Sequence, residues 1–195
     1  MVRIPRPVPS MYSRNSEPVR FERDCDAVLV PAGDQVTLPA GTVGYITQSL
    51  GGSWTVFVEG NLMRIAGKDA DAIGKEPPAP IELPEGASDE DVERLVWQQL
   101  RTCFDPEIPV NIVELGLVYA AEVLPRDDGQ REVRVRMTLT APGCGMGEVL
   151  VDDVRSKVEL IPTVAEADVE LVFDPPWDPS MIKQERIMQS LPISM

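Results

Sequence analysis

Three features of this sequence predict an α+β fold: short β-prone runs cut by glycine and proline in the first third, two amphipathic helical stripes, and strict apolar-polar alternation along 133–139. The stripes need a sheet to cover. The second part therefore reads as a two-layer domain with its helices on one face of a sheet, preceded by a small β-rich module. With 195 residues, 43% of them hydrophobic, the chain has the length for a main domain and a smaller appendage.

Residues 1–18 hold four prolines and little periodicity, so a flexible extension is expected over 1–20; they hold no apolar run of the kind an export signal needs. The β-prone runs 26–30, 35–38, 43–48 and 54–59 place the β module at 21–74. Gly51-Gly52 tolerates positive φ and predicts a hairpin, and Asn61 offers a second turn. Pro77, Pro78, Pro80 and Pro84 make 75–87 a stiff linker.

The second domain is expected over 88–180. Ser88 and Asp91 have the spacing of a capping box, and Val92, Leu95, Val96 and Leu100 form the stripe of the helix that follows, which Pro106 limits. Strands are predicted at 117–124 and 132–140 around the turn Asp128-Gly129. In the second, Val133, Val135, Met137 and Leu139 alternate with Arg134, Arg136, Thr138 and Thr140. Met146, Val149, Leu150, Val154 and Val158 then recur at helical spacing, and 169–173 reads as a last strand. The tail, 181–195, could carry a short helix starting near Ser180, built on Met181, Ile182, Ile187 and Met188.

Composition narrows the chemistry. Against 18 basic residues stand 32 acidic ones, and the net charge of −14 opposes attachment to nucleic acid or to an anionic membrane. No stretch reaches the roughly 20 apolar residues that span a bilayer. The absence of histidine removes the usual proton shuttle and the commonest transition-metal ligand. Three cysteines, Cys25, Cys103 and Cys144, leave at least one thiol unpaired, which suits a reducing, cytoplasmic location.

Cys144 lies in Ala141-Pro142-Gly143-Cys144-Gly145-Met146-Gly147, between a predicted strand and a predicted helix. At a helix entrance the free N–H groups and the helix field stabilise a thiolate, which can ligate a soft metal or attack an electrophile. The alternative is a cysteine that packs as a small hydrophobe. Asp105, Glu107 and Asn111 form either an acidic ligand or partner surface or a set of turn hydrogen bonds.

From Phe21 onward the chain resembles the SufT family, whose second part is an iron-sulfur assembly domain shared with PaaD-like proteins. The resemblance rests on Asp24-Cys25-Asp26-Ala27-Val28 and Gly60-Asn61-Leu62 in the leader. In the shared domain it rests on the run from Asp105 to Ile112, the run from Met137 to Cys144, and Phe173-Asp174-Pro175-Pro176-Trp177. Gly145 stands where many relatives of the domain carry proline. The resemblance implies a mixed α/β assembly domain and an auxiliary, non-enzymatic role in iron-sulfur cluster assembly or delivery alongside the SUF machinery. It makes Cys144 the functional thiol and metal ligand, with Asp105, Glu107, Asn111, Thr140 and Gly143 as cluster or partner contacts.

One cysteine, with no CxxC pair and no histidine, supplies one soft ligand. The expectation is a transient iron-sulfur cluster shared with a scaffold or recipient protein, and no stably held cofactor. Self-association is also expected, and neither nucleic acid nor membrane as a partner. A protein-binding adaptor that never touches a cluster and a thiol-dependent transferase or hydrolase are the alternatives.

Overall fold

The computed structural model describes residues 16–105, 108–143 and 145–183. The chain divides into two compact units, Met1–Ala79 and Pro80–Met195. The first is a sheet of six antiparallel strands, β1 (Glu17–Arg20), β2 (Cys25–Val30), β3 (Gln35–Leu38), β4 (Val43–Leu50), β5 (Ser53–Val58) and β6 (Asn61–Ile65), in the order β1-β4-β5-β6-β2-β3. The Gly51-Gly52 hairpin joins β4 to β5, both glycines at positive φ.

Two strands lie where none was predicted. β1 falls within the expected extension and pairs with β4, burying Val19; residues 1–15 lie outside the described residues. Asn61 is not the turn but the first residue of β6, because Glu59 and Gly60 take the positive φ values of a two-residue loop. A 3-10 segment, Gly67–Ile73, adds Ala72 and Ile73 to a core built on Phe21, Val56 and Ile65. Arg23 holds that segment through Asp69 at 3.0 Å and Asp71 at 2.6 Å.

Cys25 lies in this core, 1% exposed, and its thiol is pushed up to about 11, first by burial and then by the Asp69 carboxylate.

The second unit consists of α1 (Asp89–Leu100), β7 (Val118–Pro125), β8 (Arg131–Met137), α2 (Gly147–Glu159), β9 (Val164–Leu171) and a 3-10 turn at Pro179–Met181. The predicted capping box is present: Ser88 Oγ accepts from the Asp91 amide, and Asp91 accepts from the Ser88 amide at 2.9 Å. The sheet is mixed, β7 antiparallel and β9 parallel to the central β8. Val133, Val135 and Met137 of β8 are fully buried beneath Val92, Val96 and Leu100 of α1 and Leu150, Val154 and Val158 of α2, while Arg134 and Arg136 are exposed on the other face. Each such apolar side chain contributes roughly 1.5–3 kcal/mol relative to exposure.

The last strand, expected at 169–173, starts five residues earlier and ends at Leu171. Its register against β8 shifts between Arg131 and Glu132, which leaves Ala165 unpaired and breaks the period of two. Of the tail, Ile187 and Met188 lie outside the described residues. No helix among the described residues is long and apolar enough to cross a membrane.

At the end of the sheet where β8 begins, Arg131 joins three segments. It donates to Asp89 Oδ1 at 2.7 Å, to the Ala87 carbonyl at 2.8 Å and to Thr163 Oγ1 at 2.7 Å. Replacing Arg131 with alanine should lower stability by about 1–3 kcal/mol, and lysine should recover only part of it, because an ammonium lacks the guanidinium fork. Urea denaturation followed by tryptophan fluorescence measures both variants.

For Cys25, the thiol is neutral below its ordinary value of 9.0 whether the chain is folded or unfolded; between 9.0 and about 11 only the unfolded chain ionises, so this contribution to stability is lost as pH rises through that window. Cys25→Ala should flatten the stability profile there, and an unchanged slope would contradict this account.

Candidate functional site

The loop 138–146 leaves the C-terminal end of β8 and enters α2. Its base is closed by packing: Leu139 and Met146 are buried, and a Cβ on Gly147 would lie 2.7 Å from Leu139 Cδ1. Its tip is open, with Ala141, Pro142, Gly143 and Gly145 all exposed and nothing within 4 Å of where a Gly143 side chain would be. Cys144 and Glu107, two of the predicted site residues, lie outside the described residues.

A second loop, 101–117, joins α1 to β7. Its start is held by α2, where Lys157 Nζ donates to the Thr102 carbonyl at 2.8 Å and pairs with Asp153 at 3.1 Å. Cys103 follows, fully buried, its thiol donating to the Gln99 carbonyl at 3.6 Å. The loop then folds on itself through a bridge between Phe104 and Asn111, with the Ile112 amide donating to the Cys103 carbonyl at 2.9 Å.

Asp105 and Asn111 are 7% and 9% exposed. Asp105 Oδ1 accepts from the Ile108 amide at 3.0 Å, and Oδ2 accepts from the Thr140 hydroxyl at 3.3 Å. Asn111 Oδ1 accepts from the amides of Val113 at 3.1 Å and Glu114 at 2.9 Å. Both side chains thus organise backbone, as short polar side chains in turns do. The structure brings Asp105 and Thr140 together and so joins the two loops.

Residues that periodicity does not single out complete the arrangement. Trp177 Nε1 donates to the Leu115 carbonyl at 2.8 Å, Tyr119 Oη donates to the Pro175 carbonyl at 2.6 Å, and the Lys183 amide donates to the Glu114 carbonyl at 2.9 Å. Gly116 has φ +72, and a Cβ there would overlap the Met181 carbonyl oxygen, so only glycine lets the two backbones approach. Thr138 is fully buried, and its hydroxyl has no hydrogen-bond partner among the described residues. In the sequence Phe173-Asp174-Pro175-Pro176-Trp177 is singled out only as part of the family resemblance. Among the described residues, no three Cys, Asp or Glu side chains gather as a metal-binding group.

Residues 93–170, which span both loops, match the model of a protein family described as iron-sulfur cluster assembly protein. An Fe-S protein maturation auxiliary factor of Porphyromonas gingivalis is 41% identical over 102 residues, 52% of this chain and 90% of that protein. The auxiliary factor SufT of Staphylococcus aureus is 39% identical over 80 residues, 41% of this chain and 86% of that protein. The auxiliary factor YitW of Bacillus subtilis is 35% identical over 89 residues, 46% of this chain and 83% of that protein.

Because the Thr138 hydroxyl is buried and has no partner among the described residues, Thr138→Val should be neutral or should raise stability by up to about 1 kcal/mol. Thermal and urea denaturation measure this, and a loss above about 1 kcal/mol would mean that the hydroxyl is bonded in solution.

Proposed function

Since the chain belongs to the iron-sulfur cluster assembly family, we propose that it assists the delivery of iron-sulfur clusters to recipient proteins through the loop that follows β8, with the Cys144 thiolate as a soft ligand. The observation that carries this reading is the bond from Thr140 to Asp105, which ties the loop containing Cys144 to the acidic loop.

The physical support is local. Cys144 precedes α2 by three residues, and the unpaired amides of a helix's first turn favour negative charge. Glu148 places its own carboxylate in that turn, so the helix field is shared between two anions. The exposed neighbours Gly143 and Gly145 leave room for a second protein to approach. The cluster is cargo in this reading, and its remaining ligands come from the scaffold or recipient protein. Asp105 acts by positioning, because both of its oxygens are engaged within the protein.

Cys144→Ser should abolish anaerobic transfer of a cluster from a loaded scaffold to an apo-recipient while stability changes by less than about 0.5 kcal/mol. Transfer and recipient maturation at the parent level would refute the proposal in favour of a protein-binding adaptor. A full cluster held stably by the isolated Cys144→Ser chain would refute it as well.

A further inference from the structure

Residues 172–183 form a strap, rooted where the Val172 amide donates to the Met137 carbonyl at 2.8 Å, at the end of β8. From there it crosses residues 114–116, held by the Trp177 indole, the Lys183 amide and the close passage of Gly116 beneath Met181. Tyr119 pins its middle at Pro175, and the Trp177 and Ile182 side chains pack against the core of the unit.

The crossing point connects to the site without a break. The Leu115 amide donates to the Asn111 carbonyl at 3.0 Å, and Asn111 Oδ1 caps the same turn. Asn111 bridges to Phe104, and the Asp105 amide donates to the Val110 carbonyl at 3.2 Å. Asp105 then receives Thr140, three residues beyond the strap's root at Met137. The strap therefore grips the acidic loop at its crossing, while its root is fixed to the end of β8 from which the cysteine loop departs.

We infer that Trp177 and Tyr119 are positioning residues: by holding the strap across residues 114–116 they set the acidic loop in register with the cysteine loop. The inference rests on the proposed role of Cys144 in cluster delivery. Packing of Trp177 alone would stabilise the whole unit; the hydrogen bonds to Leu115 and Pro175 instead act on the loops, so their removal should loosen the loops and leave the helices unchanged.

The test is the full-length double variant Tyr119→Phe/Trp177→Phe, which keeps aromatic rings and removes both donors. Amide hydrogen exchange at Ile108, Val113 and Glu114 should quicken by about tenfold while the amides of α1 and β8 keep the parent rate, and transfer from a loaded scaffold should fall by a comparable factor. Gly116→Ala should give the same pattern. Loop amides at the parent rate in both variants would overturn the inference. Equal acceleration in the loops and in α1 would also overturn it, by making the strap a general stabiliser. Loosened loops with parent-level transfer overturn it when Cys144→Ser abolishes transfer in the same assay, and the delivery role then survives. If Cys144→Ser also transfers at the parent level, the delivery role itself falls and takes the inference with it.

Discussion

Parallel pairing of β8 with β9 is the constraint from which the arrangement of the second unit follows. Two parallel neighbours cannot be joined by a tight turn, so the chain must return across the sheet before β9 begins, and α2 makes that return. The face it crosses is the one carrying Val133, Val135 and Met137, because only there does an apolar helix stripe find cover. The segment at the C-terminal end of β8 is thereby obliged to turn directly into a helix, and that turn is the glycine-rich loop 138–146. Antiparallel pairing of the same strands would remove the helix entrance from the site.

The second loop depends on this frame and adds polar organisation to it. A buried carboxylate and a buried carboxamide are costly unless their oxygens are hydrogen-bonded. Asp105 and Asn111 meet that condition by accepting amides of their own loop, and Asp105 also accepts the Thr140 hydroxyl. Asp105 and Asn111 thus hold backbone in place, and at the tip of the cysteine loop Ala141, Pro142, Gly143 and Gly145 are exposed. Cys103 is buried in the core of the second unit and Cys25 in that of the first.

The first unit has its own hydrophobic cluster, around Phe21, Val56 and Ile65, and its own polar fastening of Arg23 to Asp69 and Asp71. Its neutral, buried Cys25 is a packing residue by environment, since a thiol held at about 11 carries almost no thiolate at neutral pH.

Local order in the sequence was enough to determine the element types of the second unit, both helix stripes, the capping box at Ser88, the Gly51-Gly52 hairpin and the alternation of β8. Each of these depends on residues within a few positions of one another, where period and turn chemistry are written directly into the chain. The singular composition around Cys144 was legible for the same reason. Tertiary structure alone decided the rest: the pairing of β1 with β4, the bulge that hides the start of β9, the burial of Asp105 and Asn111, and the strap. These depend on partners far apart in sequence, such as Asp105 with Thr140 and Trp177 with Leu115, and no local period records such a pair because its stabilisation exists only once the intervening chain has closed.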